Sequence, residues 1–312
     1  MSSADRFSTF LVKDVTYKTV SSTPIEATIL IPKDAKPGKH PVLVRWHGGS
    51  IMFGYRLSEM LLHTWVLEYV QKHSVILVCP DFQLLPASTC IDTLEDIKDF
   101  WAWSRSSLSA VVEQLKPGVQ VDFDKIASIG ESSGGNLALQ SALLHPEVGV
   151  KAVIIAYATL DIASPYYSTP HNRTVLGYPA HADPQPIIDE YLANMAPVCS
   201  ADASLNKVAV AMAISQTGRY YEFYGKDDVA QPFFNLEKYK GELPYLWAFH
   251  GKQDSAVPVE GTEKFERLLK KLRPDGNWKV TYPNGDHMFD KTATLEDGWL
   301  KEGLNDVEKY WL

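Results

Sequence analysis

Ile126-Ala127-Ser128-Ile129-Gly130-Glu131-Ser132-Ser133-Gly134-Gly135-Asn136-Leu137-Ala138-Leu139 is the stretch on which the reading of this chain turns. Its apolar opening suits a strand, Gly130 to Gly134 spells G-x-S-x-G, and Asn136 to Leu144 carries a helix-compatible pattern. A strand that turns sharply into a helix puts Ser132 at a strained apex, where a Cβ at Gly130 or Gly134 would crowd the turn. The strain lifts the hydroxyl clear of the sheet. The first amides of the following helix present positive partial charge where an acyl oxygen would become negative. Ser132 is therefore the candidate nucleophile. Taken alone, a Ser-Gly-rich turn often marks only a turn; the strand before it and the helix after it give this one its weight.

Outward from that turn, the chain alternates strands with helices. Asp14 to Val20 and Ile25 to Ile31 read as an edge hairpin turning at Thr23-Pro24, followed by a buried-type strand from Pro41 to Trp46. Ser58 to Gln71 has helical spacing with Ser58 as N-cap, and Val75 to Cys79 is a continuous apolar run suited to a parallel strand covered on both faces. A helix is expected over Thr93 to Ser106, a strand over Lys125 to Ile129, a helix over Leu137 to His145 and a strand over Val150 to Ala156. This rhythm predicts a mostly parallel central sheet with helices on both faces, built by right-handed crossovers. It breaks between Asp161 and Lys240, where prolines and tyrosines abound without a strong strand, and this segment reads as an inserted cap. It returns with the strand Leu243 to Phe249, a helix at Glu260 to Leu272, a strand at Trp278 to Tyr282 and a last helix at Leu295 to Tyr310.

A serine hydroxyl needs a base to take its proton, and the base needs an acid to fix its tautomer. His287 lies in the turn-rich loop Pro283 to Phe289 after the last strand, and Asp254 lies in the loop after the strand ending at Phe249. The chain order Ser132, Asp254, His287 is one of those known for such a triad. Asp161, Asp227, Asp228 and Asp286 are rival acids near loops. Upstream, His47-Gly48-Gly49-Ser50 follows the third strand and can turn backbone N–H groups toward an oxyanion. This gives an expected oxyanion site of Gly48, Gly49, Ser50 and Ser133, with Gly48 shaping the loop and the other three donating. His47 reads as a brace for that loop; His250, His145 and His63 read as packing or surface histidines. His171 and His181 with Asp183 hint at a metal, but no second ligand cluster supports one.

These motifs together resemble the hormone-sensitive-lipase-like group of α/β-hydrolase esterases. His47-Gly48-Gly49-Ser50 is similar to the group's H-G-G-G, Gly130 to Gly135 to its G-D/E-S-A-G-G, and Asp81-Phe82-Gln83-Leu84-Leu85-Pro86 to its D-Y-R-L-A-P. Gly251 to Asp254 and His287 to Phe289 match its G-x-x-D and H-x-F signatures. The resemblance spans about Pro41 to Phe289 and implies one α/β-hydrolase domain over residues 1–312, capped by N-terminal residues 1–12 and the insertion 161–240. It implies cleavage of carboxylic esters of small, largely apolar substrates through an acyl-enzyme, with no cofactor and no metal. Ser50 departs from the third glycine, Gln83 from an arginine and Ser133 from an alanine. The Ser133 N–H still serves the oxyanion, and its hydroxyl offers a hydrogen bond to a substrate. The motifs do not separate water from an alcohol, amine or thioester partner, which leaves acyltransfer or thioester cleavage open. A non-catalytic receptor on the same scaffold is the remaining reading, weakened by the presence of His287.

The 312 residues, 45% hydrophobic and 22% charged, suit a soluble globular chain with a large core. A net charge of −8 without a dense Lys/Arg run disfavours nucleic acid or an anionic membrane as partner and favours a small neutral or cationic molecule. Three cysteines, Cys79, Cys90 and Cys199, form no C-x-x-C pair and are odd in number. With no apolar stretch of spanning length and no secretory signal, a cytoplasmic protein is expected.

Overall fold

Strands β1 (Phe10–Val20) and β2 (Thr23–Pro32) pair antiparallel and form one end of an eight-stranded sheet. The computed structural model describes residues 6–312, so residues 1–5 of the expected N-terminal cap lie outside the described residues, and residues 10–12 belong to β1 instead. The hairpin turns on Ser21 and Ser22, at φ 47° and 71°, ahead of the Thr23-Pro24 position expected from the sequence. Two consecutive positive φ values match the right-handed twist of the flanking strands. Pro24 pairs with Thr19 on β1 and lies outside the part of β2 that pairs with its other neighbour, Ala27 to Leu30.

The remaining strands are β3 (Gly38–Trp46), β4 (Ile76–Pro80), β5 (Val119–Glu131), β6 (Ala152–Ala156), β7 (Tyr245–Phe249) and β8 (Trp278–Thr281). The sheet order is β1-β2-β4-β3-β5-β6-β7-β8, parallel from β4 to β8. Strict alternation sends Val42, Val44, Val153, Ile155, Leu246 and Ala248 to one face. Leu43, Leu77, Ile154, Trp247 and Phe249 go to the other. Helices α1 (Thr64–Lys72) and α10 (Gly298–Trp311) cover that second face, while α2 (Cys90–Leu115), α3 (Ser133–Leu144) and α9 (Val259–Leu272) cover the first. This is the doubly covered, mostly parallel sheet that the continuous apolar runs require.

The helix expected from Ser58 starts only at Thr64. Ser58 caps nothing: its carbonyl accepts the N–H groups of Leu61 and Leu62 in a turn, at 3.1 and 2.8 Å. Leu61 and Leu62 are buried from within that loop, so the apolar spacing is satisfied without a helix. Between β6 and β7 the chain carries α4 (Pro165–Ser168), α5 (Gln185–Asn194), α6 (Val208–Gln216), α7 (Tyr220–Tyr224) and α8 (Pro232–Lys238) and no strand of the sheet. Among the described residues no helix is long and apolar enough to cross a membrane.

Candidate active site

Parallel strands deliver every loop that follows them to one edge of the sheet, and Ser132, Tyr157, Asp254 and His287 follow β5, β6, β7 and β8 respectively. Ser132 has φ 55° and ψ −124°, a conformation that costs a non-glycine residue about 1–3 kcal/mol and persists only where its surroundings over-determine it. They do. Its N–H donates to the Ala156 carbonyl at 2.9 Å, and its own carbonyl accepts Gly135 N–H at 3.1 Å and Thr159 N–H at 3.2 Å. A Cβ at Gly130 would stand 2.0 Å from the Gly134 carbonyl oxygen, and one at Gly134 would stand 2.1 Å from the Trp46 carbonyl oxygen. The two glycines of the motif are required by space.

His287 and Asp254, the expected base and acid, are paired. His287 Nδ1–H donates to Asp254 Oδ2 at 2.8 Å, which leaves Nε2 as the basic nitrogen. The loops carrying them are laced together, with Lys252 N–H on the Pro283 carbonyl at 3.0 Å and Gln253 N–H on the Gly285 carbonyl at 3.1 Å. Asp254 Oδ1 accepts the N–H groups of Ala256 and Val257 at 2.9 and 2.8 Å. Burial raises the pKa of this carboxyl, but the hydrogen bonds from His250 and then His287 outweigh it and hold Asp254 well below the usual carboxylate range. Two of the four rival acids are engaged elsewhere: Asp286 accepts Ser255 N–H and Oγ–H, and Asp161 pairs with Lys264. Tyr157 packs its ring edge-on to His287 at 4.8 Å, and its N–H donates to the Phe249 carbonyl at 2.7 Å. The segment from Ala156 to Thr159 thus touches both the serine turn and the imidazole. Ser132 Oγ and His287 Nε2 form no hydrogen bond with each other or with any other described residue. Such contacts commonly tighten only once substrate is bound.

His250 is neither surface nor mere packing. It is fully buried, its Nε2 lies 3.1 Å from Asp254 Oδ2 and 3.0 Å from the Val257 carbonyl, and its Nδ1 lies 2.7 Å from Thr262 Oγ1. The signal in the sequence was its place four residues before the acid, at the mouth of the same strand.

The glycine-rich loop after β3 divides its N–H groups between structure and solvent. Gly48 N–H donates to Glu131 Oε1 at 3.0 Å, so Gly48 shapes the loop and does not present its N–H to an oxyanion. Gly49, Ser50 and Ser133, the first residue of α3, have N–H groups with no acceptor among the described residues. The Ser133 hydroxyl corrects the expectation that it meets a substrate: it is fully buried and accepts Ile51 N–H at 3.0 Å. His47 Nδ1–H donates to the Gly48 carbonyl at 2.7 Å, its ring stacks on Phe82 at 4.3 Å, and burial pushes its pKa down to about 3. It is a neutral brace. Glu131, the acidic position of the pattern G-D/E-S-A-G-G, also forms a buried ion pair with Arg45. Where Gln83 stands in place of arginine, the buried Asp96 instead receives Gln83 N–H, Gln83 Nε2–H and the Lys18 ammonium. A cavity of about 690 Å³ opens on the acid's side of the site, lined by Tyr166, Arg173, Asp254, Ser255 and Glu260 among others.

Among known proteins, a family model described as the alpha/beta hydrolase fold matches residues 43–239. A probable carboxylesterase of Phoma sp. is 32% identical over 313 residues, covering 98% of this chain and 98% of that protein. A non-reducing polyketide synthase of Preussia isomera is 30% identical over 159 residues, which is 50% of this chain and 7% of that protein. Among solved structures, a Pyrobaculum calidifontis esterase superposes with a TM-score of 0.64 at 21% identity, covering 99% of this chain and 89% of that one. With the motif match and the near full-length relationship both in place, the chain belongs to the α/β-hydrolase fold family, in its hormone-sensitive-lipase-like group.

Proposed function

We propose that the protein hydrolyses carboxylic esters of small, largely apolar substrates through an acyl-enzyme on Ser132. His287 Nε2 takes the Ser132 hydroxyl proton as Oγ attacks the ester carbonyl. The N–H groups of Gly49, Ser50 and Ser133 stabilise the oxygen that becomes negative, a contribution of about 3–4 kcal/mol for each such donor. The protonated His287 gives its proton to the leaving alcohol, and the same nitrogen then activates the water that releases the acid. Asp254 holds the imidazole in the required tautomer and stabilises its charged form. The observation that carries this reading is the His287–Asp254 pair with an open Nε2, at the same sheet edge as a strained serine and three unpaired N–H groups. The near full-length relationship to a probable carboxylesterase supports the same chemistry. Residues 161–240 serve as the cap over the site. The three unpaired cysteines support a cytoplasmic setting.

Ser132→Ala abolishes turnover of short-chain p-nitrophenyl esters while the fold is retained. Substantial remaining activity would falsify the assignment of Ser132. A second reading gives the acyl group to an alcohol or amine, or takes it from a thioester, with the same triad. The relationship of half the chain to a polyketide synthase favours keeping it. Product analysis with competing alcohols separates the two: acyl transfer yields a new ester, hydrolysis only the free acid.

A further inference from the structure

Two departures from the family pattern, Ser50 and Ser133, meet each other in space. Ser50 and Ile51 both lie in the left-handed region, at φ 58° and 55°. Glycine visits that region at no steric cost, whereas a β-branched residue there is a genuine outlier. The peptide that joins the two residues is gripped on both edges. Its N–H, belonging to Ile51, donates to Ser133 Oγ at 3.0 Å, and its carbonyl, belonging to Ser50, accepts the Tyr220 hydroxyl at 3.1 Å. The Ile51 carbonyl is held in turn by Leu85 N–H at 2.7 Å. Ser133 is the residue after the nucleophile, and Tyr220 is on α7 of the insertion, so one peptide plane is fixed by the serine turn from one side and by the cap from the other. Tyr220 is buried and packs at a tilt between the rings of Tyr167 and Tyr224, with centroids 5.4 and 6.0 Å away, which makes its hydroxyl position a property of the docked cap.

We propose that the Ser133 and Tyr220 hydroxyls are positioning residues that lock the Ser50–Ile51 peptide, and through it the direction of the Ser50 N–H, so that the oxyanion site is complete only when the cap is seated. This rests on the hydrolase reading above. Without either grip the strained Ser50 backbone can relax, and a change in Ser50 φ re-aims the Gly49–Ser50 peptide that carries the Ser50 N–H. Losing a whole oxyanion donor costs about 10²–10³-fold in kcat. Misaiming one costs less, so Ser133→Ala and Tyr220→Phe each lower kcat roughly 10- to 50-fold. The double variant saturates at about 10²–10³-fold, because one donor cannot be lost twice.

The experiment measures kcat and KM on a short-chain p-nitrophenyl ester, together with the rate of fluorophosphonate labelling and the melting temperature. The two single variants, the double variant and Tyr220→Phe in a Ser50→Gly background are each compared with the native protein. The expected result is a loss confined to kcat and labelling rate, near-native KM, melting within about 5 °C of native since Ser133→Ala leaves the Ile51 N–H without its acceptor, and a Tyr220→Phe effect that shrinks below about threefold when glycine makes the left-handed conformation of residue 50 unstrained. A loss confined to KM makes Tyr220 a pocket wall and overturns the inference, as does an undiminished Tyr220→Phe effect in the Ser50→Gly background. An active native protein with both single variants fully active also overturns it, while leaving the hydrolase reading intact. A native protein that neither turns over the ester nor takes the probe overturns both.

Discussion

Glu131→Gln tests how the serine turn and the oxyanion loop are tied together. Glu131 Oε1 serves two donors, Arg45 Nη2–H and, at 3.0 Å, Gly48 N–H. The Arg45 and Glu131 side chains are 1% and 8% exposed, so their pair is not screened by water. Burial pushes the Glu131 carboxyl up, and the Arg45 guanidinium is the main influence pulling it back. Removing one partner of such a pair costs about 3–5 kcal/mol, because the other charge is left buried. An amide oxygen can still accept from both donors, which places Glu131→Gln at the low end, about 3 kcal/mol. Glu131→Leu removes the acceptor as well, and the unsatisfied Gly48 N–H adds about 1–3 kcal/mol to the full penalty. At about 2.1 cal/mol/K per residue, this 312-residue chain unfolds with roughly 0.65 kcal/mol/K, so the two variants melt about 5 °C and about 9–12 °C below the native protein. Calorimetry reads the melting, and ester turnover well below it reads the loop: Glu131→Gln keeps kcat within about threefold, whereas Glu131→Leu loses at least tenfold because Gly48 no longer anchors the loop. Melting within 1–2 °C of native for both, or equal kcat in both, refutes the reasoning.

Two further predictions concern histidines. His250→Phe removes a donor from Asp254 Oδ2 and leaves the Val257 carbonyl and Thr262 hydroxyl without their partner. It therefore lowers stability by about 1–3 kcal/mol and kcat by about tenfold with KM unchanged, as read by urea unfolding and steady-state kinetics. His47→Asn changes the pH dependence of stability. Burial keeps His47 neutral in the folded chain down to about pH 3, against 6.5 when unfolded, so the unfolded chain takes the proton first and stability is lost as pH falls through that window. Burial, opposed by Arg56, raises Asp81 to about 6, so the folded chain takes that proton first and stability is gained as pH falls from about 6 to 3.8. The variant deletes only the first effect, and its loss between pH 6.5 and 4 is smaller than the native loss by about 3 kcal/mol. Urea unfolding that gives the two proteins the same loss of stability between pH 6.5 and 4 would count against a neutral, buried His47.

The sheet was legible because its signal is local: short runs such as Val75 to Cys79 and Ala152 to Ala156 are apolar throughout, as strands covered on both faces are. Element ends were less so. The strand into Ser132 begins at Val119, not Lys125, because Val119 to Val121 are polar-interrupted and are strand only through pairing with Gly38 to His40 of β3. Of the helix expected over Ser58 to Gln71, the part from Ser58 to His63 is loop, because Leu61 and Leu62 are buried at helical spacing by a turn that no pattern of apolar residues announces.

At the site, residue types that carry chemistry by themselves could be named from the sequence: a serine between glycines, a histidine and an aspartate after strands. What the sequence could not show is where the polar atoms around them are used. Glu131 and the Ser133 hydroxyl each act on a residue from another loop, and such pairing depends on which strands are neighbours, not on spacing along the chain; His250 acts on Asp254 within its own loop, where spacing alone did not distinguish it from a packing histidine. The sheet order sets those neighbours. β3 and β5 lie side by side, so the two glycine-rich loops that leave them, His47 to Ser50 and Gly130 to Gly134, must pack against each other, and each supplies hydrogen-bond partners that the other lacks. A substitution in one loop therefore has its consequence in the other. The Ser133 hydroxyl, present where the family pattern has an alanine methyl, matters through the N–H of Ile51 that it accepts.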